Sequence, residues 1–193
     1  MKSTMQDTPL SIGQLVRYGT SMHASATITT WSEAGPSNIT FAELGRRAAR
    51  LAHGLRALGI DGDQRVATFM WNNSQHMEAY MAVPAMGAVL HTLNIRLFPE
   101  QVTYIVNHAE DQVVIVDASL VVPFGKLLPT FETVRHVVVD HHHLLMMRSR
   151  DRMMTVEAQM DLRVLDPLRD ADQCLTVEQR LDGAGVPTQD MHL

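Results

Sequence analysis

The residues that could do chemistry are few here, and most are badly spaced for it. Lysine occurs twice, at Lys2 and Lys126, against fourteen arginines, so a reaction that needs a lysine has one internal candidate. No GxGxxG run is present, and Lys126 follows Gly125 but precedes Leu127, so a GxxxxGK[ST] phosphate cradle is excluded. No G-x-S-x-G elbow exists to hold a strained serine nucleophile. The single cysteine, Cys174, rules out an internal disulfide and a Cys-rich zinc site. Asp172 nearby is an unfavourable neighbour for a reactive thiolate. His141, His142 and His143 are consecutive. Successive side chains of a regular element diverge, so the run reads as solvated, with a transient surface contact to a metal through His141 and His143 as the alternative.

Two further places carry polar groups in telling positions. His91 interrupts the apolar run Ala88-Val89-Leu90-His91-Thr92-Leu93 and reads as a hydrogen-bonded histidine at a strand end. Asn94 and Arg96 follow the carboxyl end of that strand, where open α/β sheets bind ligands. The adjacent carboxylates Glu110 and Asp111 read as a helix end passing into a turn. The residues alone therefore assign no catalytic, cofactor-binding or metal-ligating position.

The elements that must hold these residues follow from periodicity. Helical spacing marks Ile12 to Met22, and the β-branched run Ala26 to Trp31 reads as a strand, with Ser32 to Asn38 turning the chain back. Thr40-Phe41-Ala42-Glu43 fits a capping box. Leu44, Ala48, Leu51, Ala52, Leu55 and Leu58 then form one apolar helix face that Gly59 can terminate. Strands are expected at 65–71, 89–93, 112–116 and 135–139, with helices at 75–86, 99–108 and 120–128 between them. Pro84 marks a late turn and Pro99 a first helical position. Strands alternating with helices predict an α/β domain with a mainly parallel sheet and flanking helices.

Composition limits the rest. A net charge of −5 with no basic run argues against nucleic acid. The most apolar window, 80–93, is too short to span a membrane and holds Pro84 and His91. A soluble, cytoplasmic protein is expected. Past Asp140 the character shifts: charged residues are 15 of the last 53 against 22 of the first 140, and six of thirteen methionines fall there. Residues 141–193 are read as a poorly ordered tail, with Thr155 to Leu165 as a weak helix.

Ile39-Thr40-Phe41-Ala42-Glu43-Leu44 resembles the first core motif of the adenylate-forming (AMP-dependent) synthetase/ligase superfamily, and Met86-Gly87-Ala88-Val89-Leu90-His91-Thr92-Leu93-Asn94 resembles the second. The run LHTLNIRLFPEQVTYIVNHAEDQVVIVD is similar to the medium- and long-chain fatty acyl-CoA ligase branch. The resemblance covers residues 8–140 and implies part of the N-terminal domain of an acyl-CoA synthetase-like fold. Members use ATP, Mg2+ and coenzyme A to convert a fatty acid to acyl-CoA, AMP and pyrophosphate. The family's TSGTTGxPKG-type phosphate loop is not found in the 193 residues, nor is its catalytic lysine, which Lys126 does not match. No catalytic or cofactor-binding residue is carried over; Glu43 is assigned a capping role and Gly87 close helix–strand packing. The expectation is a truncated or frameshifted ligase, inactive alone and holding no cofactor. The alternative is a non-catalytic α/β module that associates with itself or with a full-length ligase through exposed apolar surface.

Overall fold

A computed structural model describes residues 10–141, 144–149 and 152–157, and the side chains of 10–140. The chain opens with α1 (Ile12–Met22), whose Ser11 hydroxyl accepts the Gln14 amide. A hairpin follows, formed by β1 (Thr27–Ser32) and β2 (Gly35–Thr40), with Thr27 opposite Thr40 and Ser32 opposite Gly35. The second strand corrects the expectation that 32–38 simply turns: the loop is Glu33–Ala34, and Gly35 and Pro36 belong to the ladder. Gly35 has a φ of 101°, open to glycine. Pro36 is tolerated because β2 pairs on one side alone.

Helix α2 (Phe41–Ala57) begins where its cap predicts, with the Thr40 hydroxyl accepting the Glu43 amide at 3.1 Å. The return half of the capping box is not made. The Glu43 carboxylate turns instead to Arg46, Arg47 and Arg50 on its own helix. Leu44, Ala48 and Leu55 form its buried face.

Parallel strands then alternate with helices: β3 (Arg65–Phe69), α3 (Ser74–Ala85), β4 (Val89–Thr92), α4 (Pro99–Ala109), β5 (Val113–Asp117), α5 (Val121–Gly125) and β6 (His136–His141). Their order across the sheet is β4-β3-β5-β6. Val66 stands opposite both Leu90 and Val113, and Val113 opposite His136. The edge continues with β7 (Leu144–Ser149), antiparallel to β6, and its neighbour β8 (Arg152–Glu157). The expected tail over 141–193 lies largely outside the described residues. Of the weak helix expected over 155–165, residues 155–157 belong to β8 and the rest lies outside them. The helix expected over 120–128 is broken into α5 between two 3-10 turns, Ala118–Leu120 and Leu128–Thr130, because Pro123, Gly125 and Pro129 interrupt it.

Alternation along the strands divides the core into two layers. Ala67, Phe69, Val114, Val116 and Val137 face α4 and α5, against Val102, Val106 and Phe124. Val66, Val113, Ile115 and Val138 face α2 and α3, against Leu55, Ala79 and Val83. The assignment of Gly87 to close packing is corrected. A Cβ there would meet nothing within 4 Å, and the need for glycine comes from its φ of 95°. Among the described residues no helix is long and apolar enough to cross a membrane.

Candidate functional site

The strand order sets where a ligand site belongs. The crossover from β3 leads to β4 on one side, and the crossover from β4 returns to β5 on the other, so the carboxyl ends of β3 and β5 flank a topological switch point. Four side chains meet there. Asn73 donates its amide to Asp117 Oδ2 at 3.2 Å, and Ser119 donates its backbone N–H and hydroxyl to Asp117 Oδ1 at 2.9 and 2.7 Å. Trp71 donates its indole N–H to the Ser119 hydroxyl at 3.1 Å. Asn73 also caps α3 by accepting the His76 amide, while Thr30 of the hairpin accepts the Ser74 amide.

Each bond in this cluster closes on another member, so it fastens the β3–α3 and β5–α5 loops together. Behind it, buried His76 meets the Thr68 hydroxyl at 2.9 Å. Burial holds the His76 ring below its usual pKa and so favours the neutral form, with the Trp71 backbone partly offsetting that effect. The cluster brings a carboxylate and no cation to the switch point. A polyphosphate requires positive charge or aimed donors where its own charge develops. Among the described residues these four side chains supply no such charge, and no step of adenylation is derived through them.

The positions singled out from sequence are scattered. Asn94 and Arg96 sit in the exposed loop after β4, at the sheet edge and not at the switch point, where Asn94 Oδ1 accepts the Arg96 amide at 3.0 Å. His91 is hydrogen-bonded as expected, through Nδ1 to the Asp111 carboxylate at 2.8 Å. Glu110 ends α4 in the left-handed conformation, with a φ of 57°. Asp111 is fully buried and its carboxyl is pushed up by desolvation, partly countered by the His91 hydrogen bond and the charges of His91 and Arg65. Lys126 is exposed at the end of α5. Cys174 and the side chains of His141, His142 and His143 lie outside those described. Among the described residues no three His, Cys, Asp or Glu side chains converge on a metal position.

A cleft of about 350 Å3 opens at the opposite end of the sheet, near the starts of β5 and β6, lined by Glu110, Gln112, Glu132, Thr133, Val134 and Arg135. Its lining mixes both signs of charge, and it lies away from the strand ends that carry sites in such sheets. The Trp71-Asn73-Asp117-Ser119 cluster was not found from sequence, because its halves are separated by 44 residues or more. The one available signal was Asp117 ending the apolar run Val113–Val116 in line with Asn73 after β3.

Comparison with known proteins follows the fold. The AMP-binding enzyme family matches residues 19–179. A long-chain-fatty-acid–CoA ligase of Thermus thermophilus is 41% identical over 138 residues, covering 71% of this chain and 26% of that protein. A 3-methylmercaptopropionyl-CoA ligase of Ruegeria pomeroyi is 38% identical over 152 residues, covering 78% and 27%. The chain thus spans about a quarter of the length of these curated relatives. In fold it resembles the N-terminal domain of FACL13 from Mycobacterium tuberculosis, with a TM-score of 0.61 at 24% identity over 67% of this chain and 33% of that one. It also resembles a benzoate CoA ligase from Burkholderia xenovorans, with a TM-score of 0.60 at 22% identity over 69% and 26%.

Proposed function

The chain belongs to the AMP-binding enzyme family, and from that premise we propose that it carries the opening α/β portion of a fatty acyl-CoA ligase and does not catalyse as these 193 residues alone. The parent reaction joins a fatty acid to coenzyme A at the expense of ATP, which leaves as AMP and pyrophosphate. The observation that carries the reading is the 41% identity to a fatty acyl-CoA ligase over 138 residues that include no phosphate loop. The carboxylate-bearing cluster at the switch point supports it, since among the described residues it joins Trp71, Asn73, Asp117 and Ser119 and includes no cation. ATP, Mg2+ and coenzyme A belong to the parent reaction and not to groups of this chain. We place the protein in the cytoplasm as part of the same proposal.

A second reading is kept because one observation favours it. Leu15, Tyr18 and Met22, spaced to share one face of α1, are each more than half exposed. On that reading the chain is a non-catalytic module that associates with itself or with a full-length ligase. The test is an assay of the purified chain for ATP-dependent acyl-CoA formation from a fatty acid, alongside sizing with and without a full-length ligase. No turnover and no adenylate are expected; detectable acyl-adenylate would overturn the first reading. A sharp monomer peak unaffected by the ligase would remove the second.

A further inference from the structure

Glu78 lies on the inner side of α3, its side chain 14% exposed, where α2 packs across it. Arg47 of α2 places Nη1 3.1 Å from Glu78 Oε1. The distance is that of an ion pair, but its direction is not that of a hydrogen bond, and the buried Oε1 has no hydrogen-bond partner. A buried carboxylate oxygen without a donor is costly in its charged form. Arg47 is also shared, with Glu43 3.8 Å from its Nε. Among the described residues the other charges acting on Glu78 are Asp140 of β6, then Glu43 and Arg50 of α2, and the two carboxylates are of like sign. Arg17 on α1 and Glu33 in the hairpin, charged groups of the other elements packed on α3, do not figure among these influences. Arg65 of β3 and His91 of β4 serve Asp111, on the α4 side of the sheet.

We propose that the seam between α2 and α3 is a proton-sensitive latch, closed while the Glu78 carboxyl carries a proton and loosened when it loses it. The proposal stands apart from the ligase reading and does not depend on it. Protonation lets Glu78 meet Arg47, which Glu43 also approaches, without adding a second negative charge to that guanidinium. Ionisation calls for water or for a full share of Arg47, which the closed packing withholds. In agreement, burial together with Asp140 and Glu43 pushes the Glu78 carboxyl up to about 7, against the partial relief from Arg47 and Arg50. The sign follows from linkage. A carboxyl raised in the closed state favours closure fully below the ordinary glutamate value of 4.5, and that contribution is lost as pH rises to about 7, beyond which it stays lost.

The test is hydrogen exchange of the full chain from about pH 5 to about pH 8, comparing wild type with Glu78→Gln after correction for the intrinsic rate. His76, two residues earlier on α3, has its pKa lowered by burial and so favours opening as pH falls, and both it and Asp111 are present in both proteins. The ratio of wild-type to variant opening in α2 and α3 isolates Glu78 from them. That ratio is expected to climb by up to about tenfold per pH unit until about pH 7 and then level off. A ratio that stays flat across the range would overturn the latch. Should Glu78→Gln fail to fold, Glu78→Met serves instead as the non-titrating reference, and the same ratio is read against it. A ratio flat across the range in that comparison would equally overturn the latch.

Discussion

The two faces of the sheet are packed with different material, and among the described residues each holds a carboxyl that burial pushes up. Under α4 and α5 the core is aromatic: the Phe124 ring lies 5.3 Å from Phe69 and 5.6 Å from Phe131. Its carboxylate, Asp111, meets His91 Nδ1 through both oxygens, at 2.8 and 3.0 Å. Under α2 and α3 the core is aliphatic and small, built on Leu55, Val66, Ala79 and Val83. Its carboxylate, Glu78, has an ion pair without hydrogen-bond geometry. Burial raises both carboxyls, so burial does not separate the two faces. What separates them is how well the ionised form is met: on one face a ring N–H is aimed at the oxygens, on the other a guanidinium is divided between two acids.

The largest break in that comparison comes from the aromatic face. Phe124 is 1% exposed and touches rings on β3 and in the loop before β6, so Phe124→Ala leaves a cavity between three elements. A loss of about 3–5 kcal/mol is expected, read as a lowered urea midpoint at unchanged slope. A loss under about 1 kcal/mol would mean that the rings are not close-packed and the contrast between the faces is false.

Much of this was legible in the sequence, and the reason differs by element. Helix α2 announces itself through Thr40, an unbroken apolar face and Gly59, and it forms where these signals place it. Helix α4 does so through Pro99 and its own buried stripe. These are local signals, and local signals survive folding. Strand β2 was hidden because Gly35 and Pro36 read as a turn unless the one-sided hairpin that tolerates them is known. The run after β5 looked helical by composition, yet Pro123, Gly125 and Pro129 divide it. Paired groups were hidden for a different reason. His91 stood out as polar in an apolar strand, but Asp111 lies twenty positions away and reaches it through the α4 crossover. Glu78 and Arg47 meet only because α2 and α3 share a face, and nothing local to either marks the other.

A middle-sized effect sharpens the contrast between the carboxylates. Asp111→Ala leaves the His91 ring N–H without its acceptor beneath α4, and a cost of about 1–3 kcal/mol is expected, below that of Phe124→Ala. Asp111→Asn keeps an acceptor and removes the charge, so it reports the charge alone. Because burial raises the Asp111 carboxyl, the wild type should gain stability relative to Asp111→Asn as pH falls through the raised value toward 3.8. Denaturation midpoints of the two proteins measured across acid pH give that difference directly. A wild type that instead loses ground on acidification would show that the His91 bond outweighs desolvation, and Asp111 would then behave as an ordinary paired carboxylate.

The smallest effect is expected where the sequence alone pointed to a ligand. Asn94 and Arg96 follow β4 at the sheet edge, outside both cores, and the Asn94 carbonyl accepts the Arg96 amide in a local turn. That bond involves the Arg96 backbone and leaves its guanidinium unused by the turn. Asn94→Ala should therefore cost about 0.5–1 kcal/mol through the turn, and Arg96→Ala no more than about 0.5 kcal/mol. The order of the two matters more than their size, since an exposed arginine with no structural task should be the cheaper loss. Denaturant midpoints that place Arg96→Ala above Asn94→Ala would mean the guanidinium serves the fold in a way the loop geometry does not account for. The division into two faces would then have to include the edge strand β4 as a third place where charge is held.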